Sequence, residues 1–175
     1  MHPSSLENMK RARDLLGSRL GKDLVVLDVG GRKSWSGAAA SSYKDVFAKN
    51  VKEYLIADIA AGDNVTHVMT GEYNLPFEDN SIDFIVSGQM LEHCRNPFRS
   101  VAEMTRVLKP YHYIVLIAPS AGKYHDNPDC WRFMNDAFKA IANEVGLKVV
   151  ADWVDLDAPD ERSRTWKDHV FIGQK

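Results

Sequence analysis

The stretch VVLDVGGRKSW, residues 25–35, runs through apolar residues to Asp28, crosses Gly30 and Gly31, and ends on Arg32, Lys33, Ser34 and Trp35. Such a run predicts a buried strand, and the glycine pair predicts a tight turn leaving it. A second run, EYLIAD (53–58), again closes on an acid, Asp58. A polar stretch and the helical pattern SYKDVFAKN (42–50) lie between the two. The order therefore predicts a strand, a crossover and a second, parallel strand.

Outward from this unit the alternation continues. VTHVM (65–69), IDFIVS (82–87), YIVLIA (113–118), KVVADWV (148–154) and HVFIG (169–173) read as further strands. Upstream, Ser4 and Glu7 have the spacing of a capping box, and Leu6, Met9, Leu15, Leu16 and Leu20 recur at roughly helical intervals, with an end expected near Gly17 to Gly21. FRSVAEMTRVLKP (98–110) puts Val101, Met104, Val107 and Leu108 on one helical face, with Pro110 expected to stop it. Asn135 suits the cap of DAFKAIANEVG, and Gly146 its carboxyl end. Helices alternating with runs that are apolar throughout imply an α/β fold: a largely parallel sheet covered on both faces.

The whole-chain numbers narrow the class. At 175 residues, 45% hydrophobic and 26% charged, the sequence fits one domain, 1–175, with a sizeable core. A net charge of -2 offers no electrostatic footprint for DNA, RNA or an anionic membrane, so no nucleic-acid partner and no stable membrane insertion are expected. The amino-terminal residues lack the apolar core of a signal peptide, which makes the cytoplasm the expected compartment. Cys94 and Cys130 are too far apart for a local metal pair; both read as reduced, structural thiols, and no metal set is expected.

In parallel sheets ligands sit beyond the carboxyl ends of the strands, which directs attention to Asp28 to Ser34, Asp58, Ser87 to Gln89, and Pro119 to Ser120. The glycine turn admits three ligand classes. A P-loop needs glycine directly before Lys-Ser, where Arg32 stands. A dinucleotide fingerprint needs a third glycine, where counting from Gly30 gives Arg32 and Trp35. A turn for S-adenosylmethionine (SAM) needs only close backbone approach and an acid at the strand end, which Asp28, Gly30 and Gly31 supply. Asp58, 30 residues on, is placed to accept hydrogen bonds from a ribose diol, although a dehydrogenase would use an acid there too.

The middle of the chain favours the third class. Residues 75–110, LPFEDNSIDFIVSGQMLEHCRNPFRSVAEMTRVLKP, resemble the central signature of class I SAM-dependent methyltransferases of the type 11 group. They combine its Leu-Pro-Phe turn, acid-rich loop, Leu-Glu-His helix start and Arg-Val-Leu-Lys-Pro exit in order. The resemblance extends through IAPSAGKYHDNPDCWRFMNDAF (117–138) to TWKDHVFIG, and is similar to a compact branch associated with bacterial surface glycan pathways. It implies a Rossmann-like, seven-stranded sheet with the last strand antiparallel, and SAM lying across the first, second and fourth strands. The implied cofactor residues are Asp28, Gly30, Gly31, Asp58, Glu72, Leu75, Ser87 and Gln89. Glu72 is included as the neighbour of Gly71, which occupies the place of the acid that faces adenine in many relatives. SGQM (87–90) lacks the Asn-Pro-Pro-Tyr type of sequence used in amino-methylation of nucleic-acid bases.

Methyl transfer to a hydroxyl needs a base. His125 and His93 are candidates by intrinsic pKa, His93 with a structural role as its alternative. His125 lies in a polar loop with Asp129, Trp131 and Arg132. Trp131 is expected to stack on a sugar or to fill the loop core, and Arg132 to grip an anionic acceptor or to pair with Asp129. Trp35, Tyr43, Arg32 and Lys33 read foremost as a solvated loop, with the lining of an acceptor cleft as the alternative. The expectation is methyl transfer, O-methylation foremost, to a small molecule, a sugar or a glycan-linked acceptor, with an open cleft or one completed by a second subunit in a homodimer. A non-catalytic SAM-fold binding protein is the competing class.

Overall fold

The computed structural model describes residues 3–33, 42–157 and 161–175, with the side chains of Arg162 and Ser163 excluded. Helix α1 spans Pro3–Leu16 and runs into a 3-10 turn, Gly17–Leu20. Strand β1 (Leu24–Val29) follows, then a 3-10 turn (Lys44–Phe47), β2 (Val51–Asp58), β3 (His67–Val68) and β4 (Ile82–Gly88). A 3-10 turn at Leu91–His93 leads to α2 (Pro97–Val107), β5 (Leu108–Pro119), α3 (Ala137–Val145), β6 (Lys148–Val154), α4 (Glu161–Trp166) and β7 (Asp168–Gln174).

The strands form one seven-stranded sheet in the order β3-β2-β1-β4-β5-β7-β6. All pairs among the first five are parallel, and β7 runs antiparallel between β5 and β6. Register carries a row of apolar residues across the centre, Leu55 beside Leu27, Ile85 and Ile114. These side chains pack on one face with Val101 and Met104 of α2 and Phe138 and Ile141 of α3. Their neighbours in the strands, Val26, Phe84, Val115 and Ile172, turn to the opposite face and meet Met9, Ala12 and Leu16 of α1. Both faces are buried, which is why the strands read as unbroken apolar runs rather than alternating ones.

Several local expectations are revised. Ser4 does not cap α1: its hydroxyl donates to the Asp168 carboxylate at 2.8 Å, tying the first helix to the last strand. SYKDVFAKN forms only a 3-10 turn, because Tyr43, Val46 and Phe47 are pulled into the α1 face of the core. Helix α2, capped by Asn96, whose side chain accepts the Arg99 amide, ends at Val107 rather than at Pro110. A residue preceding proline disfavours helical backbone, so the chain leaves the helix early and pairs Leu108 with Ile82. Pro110 then falls within a strand, in the gap between the Ile82–Leu108 and Phe84–Tyr113 pairs, where no amide is required of it. The cap position of α3 is Asp136, not Asn135, whereas Gly146 takes the expected left-handed carboxyl cap. Cys94 is buried and free, but Cys130 is exposed. Among the described residues no helix is long and apolar enough to cross a membrane.

Candidate functional site

Between β1 and β4 the chain order reverses, and the crevice beyond their carboxyl ends is where ligands bind in such sheets. Gly30 turns there with φ +78°, its amide donating to the Ala57 carbonyl at 2.8 Å. A Cβ at Gly30 would collide with the Met90 side chain, and one at Gly31 would lie 2.6 Å from the Asp28 carboxyl carbon. The turn is thus held against both neighbours by the absence of side chains. Asp28 itself is buried beneath it and accepts the Tyr54 hydroxyl at 2.8 Å. Burial pushes its carboxyl up to about 7, with the Tyr54 hydrogen bond opposing.

Asp58 ends β2 beside this turn. One carboxylate oxygen accepts the Ala60 amide (3.0 Å), the other the Arg32 amide (3.3 Å), and the Arg32 guanidinium stands 3.4 Å away. Arg32 is thereby tied to the Asp58 carboxylate. The Lys33 amide is spent on the Asn64 side chain, Tyr43 is buried with its hydroxyl against Ser5, and Trp35 lies outside the described residues. A glycine turn free of side chains leaves room for close approach, and the carboxylate at the neighbouring strand end is an acceptor that suits a ribose diol.

The other cofactor candidates are more committed. Ser87 is buried and gives its hydroxyl to the Val29 carbonyl, fastening β4 to β1. Gln89, at φ +60°, donates to Asp168 at 2.9 Å. Leu75 is packed in the core and its amide donates to the Glu103 carboxylate at 2.9 Å. Glu72 pairs with Arg95 and accepts the Tyr73 hydroxyl.

The 3-10 turn carrying His93 and the loop after β5 meet beside this crevice. The Cys130 amide donates to the Glu92 carbonyl at 2.7 Å, and the Trp131 indole N–H to the Cys94 carbonyl at 2.8 Å. The ring centroids of His93 and His125 are 5.0 Å apart, and the ring of Trp166 covers His125 at 4.5 Å. Asp129 organises the loop. One of its oxygens accepts the His125 amide (2.8 Å) and lies 3.2 Å from His125 Nδ1. Arg132 clamps both its oxygens, at 2.6 and 2.8 Å, and holds its carboxyl well below the usual range. The remaining Arg132 donors go to the carbonyls of Gly122, Lys123 and Trp131. All five N–H groups are thereby engaged, so Arg132 is a staple of its own loop with nothing left for an acceptor. Trp131 is tethered through its nitrogen but is 41% exposed.

Sequence reasoning missed Glu92. It is fully buried, and neither carboxyl oxygen has a hydrogen-bond partner among the described residues. Burial pushes it up to about 8, with Asp168 and Asp129 adding to the effect. A Glu between Leu91 and His93 on a one-turn element gives no sign in sequence of pointing inward. By contrast, a surface hollow lined by residues 19–24, Asp83 and 111–113 lies at the opposite, amino-terminal ends of the strands.

The methyltransferase domain family matches residues 27–116, which spans the strand ends just described. The chain belongs to this family of SAM-dependent enzymes. A Mycobacterium avium protein named as an uncharacterized methyltransferase is 31% identical over 107 residues, covering 56% of this chain and 42% of that one. The demethylmenaquinone methyltransferase of Staphylococcus epidermidis is 34% identical over 74 residues, 42% of this chain and 31% of the enzyme. The chain thus spans less than half the length of these curated relatives. In structure it resembles the Burkholderia thailandensis 1,6-didemethyltoxoflavin-N1-methyltransferase, solved with its acceptor and S-adenosylhomocysteine. The TM-score is 0.69 at 14% identity, covering 98% of this chain and 80% of the other.

Proposed function

We propose that this methyltransferase transfers the methyl group of SAM to a hydroxyl of a sugar-containing or other small acceptor, with His125 as the general base. The observation that carries the reading is the Asp129–His125 pair beside the glycine-turn crevice. Asp129 is kept ionised by Arg132 and lies within hydrogen-bond reach of His125 Nδ1, which places the proton on Nδ1 and leaves Nε2 as the acceptor.

SAM would be held by the Gly30–Gly31 turn and by Asp58, and when bound it supplies a methyl carbon made electrophilic by the sulfonium. The chain's own contribution is alignment and proton removal. His125 Nε2 would accept the proton of the acceptor hydroxyl, so that its oxygen could attack the methyl carbon that SAM supplies. The tethered, half-exposed Trp131 ring supplies a flat apolar platform of the kind on which sugar faces stack. That supports a glycan-type acceptor in an open cleft.

The test is a calorimetric titration with SAM, followed by mass analysis of a glycan extract incubated with protein and SAM. Binding at micromolar concentrations and a product heavier by one methyl group are expected. Binding without any methylated product would favour a ligand-binding role, and no binding would overturn the reading.

A further inference from the structure

At the acceptor end His125 has two neighbours, Glu92 and His93, that the methyl-transfer chemistry does not use. Ligand-type atoms of Glu92, His93 and His125 all lie within 4.8 Å of one another, and Glu92 Oε1 is 3.8 Å from His93 Nε2. Each imidazole is anchored through its other nitrogen. His93 Nδ1 is 2.7 Å from the Pro128 carbonyl oxygen, and His125 Nδ1 is 3.2 Å from the Asp129 carboxylate. Metal-bound histidines are held in this way, the outer hydrogen bond fixing the tautomer that leaves Nε2 free to bind. The third member, Glu92, is 0% exposed with both oxygens unpartnered among the described residues, an arrangement costly for any buried carboxyl. The two segments that bear the three groups are fastened by the Cys130 and Trp131 hydrogen bonds to the 3-10 turn.

We infer that Glu92, His93 and His125 bind a single divalent transition-metal cation of the zinc type. Two imidazoles and one carboxylate are a donor set suited to such an ion, at about 2.0 to 2.2 Å per bond, leaving a fourth position for water or an acceptor oxygen. Ligands around a tetrahedral ion at these lengths stand roughly 3.4 Å apart, so modest side-chain rotation closes the site. The cation would bind one of the two unpartnered oxygens of Glu92 and neutralise its charge. It would also occupy the lone pair of His125, so on this residue metal binding and the base role exclude each other, and the loaded protein should transfer methyl groups slowly.

The experiment is titration of chelator-stripped protein with cobalt(II) chloride, followed by visible absorption, with equilibrium dialysis of zinc in parallel. One equivalent, a tetrahedral cobalt spectrum and displacement by zinc are expected. Glu92→Gln, which keeps the shape of the side chain, should weaken binding at least about tenfold, as should His93→Ala, with SAM affinity retained as the control for folding. Absence of binding below about 100 μM, or binding that both variants leave unchanged, overturns the inference. Neither result bears on the methyl-transfer reading, which is judged on metal-free protein.

Discussion

Asp28→Asn should make the SAM-free protein more stable at neutral and alkaline pH, with a gain that shrinks towards acid. The Asp28 carboxyl titrates near 7 in the fold, against an ordinary value of 3.8, because burial disfavours its charge. Between these values the folded protein holds a proton that the unfolded chain has released, so stability falls as pH rises through the window and levels off above it. At about 1.36 kcal/mol per pH unit, the full cost is about 4 kcal/mol above pH 7, of which about 1 kcal/mol remains at pH 4.5. Asparagine stays neutral throughout and keeps an oxygen for the Tyr54 hydroxyl. Urea unfolding of both proteins at pH 4.5 and pH 8 should therefore show the variant's advantage growing by about 3 kcal/mol, and other titrating groups cancel in the difference. At pH 8 the gain corresponds to roughly 8 to 16 °C in Tm for a chain of this size. A stability difference that stays constant between the two pH values would show that Asp28 is ionised in the fold, and the reasoning would fail.

Further substitutions probe the same elements. Asp58→Ala should weaken SAM binding by about 1.5 to 3 kcal/mol, roughly 10-fold to 150-fold by calorimetry, if the carboxylate accepts the ribose hydroxyls. Gly31→Ala drives a methyl group into the buried Asp28 carboxylate and should cost about 1 to 3 kcal/mol of stability in urea. His125→Ala should lower kcat about 100-fold to 10,000-fold with SAM affinity nearly intact, whereas Arg132→Ala should release the loop and lower its protection in hydrogen exchange. Parallel loss of SAM binding in both would move the acceptor site elsewhere.

The fold was readable because its strands are buried on both faces and therefore stand out as apolar runs, and because Asp28 and Asp58 each close such a run. The positions of Gly30, Gly31 and Gly146 were readable for the same reason, since each marks a place where the backbone turns. The acceptor end was readable only as a collection of residue types. Arg132 stood open between an anion grip and a pair with Asp129; the structure shows the pair, and the backbone carbonyls that take its other donors depend on the path of the loop and leave no trace in composition. Tyr43 read as a solvated loop or cleft residue because a tyrosine in a polar stretch carries no sign that its hydroxyl will reach Ser5 in the first helix. Glu92 was hidden by its neighbours, since burial of a carboxyl is a property of the packed molecule alone.

The bonds from α1 to distant parts of the chain have a consequence for how the molecule comes into being. Ser4 reaches Asp168, Asn8 reaches Asp155 at 3.0 Å, and Gln89 joins the same aspartate as Ser4. During synthesis the first helix leaves the ribosome long before the strand that completes its contacts. Pairings this far apart in sequence form slowly, because a long loop must close before they contribute anything. The sheet from β1 to β4 can assemble early, but its ligand end stays unlatched until β7 slots between β5 and β6. A nascent or truncated chain lacking β7 would expose the apolar seam along β5, the surface on which newly made copies would be expected to associate.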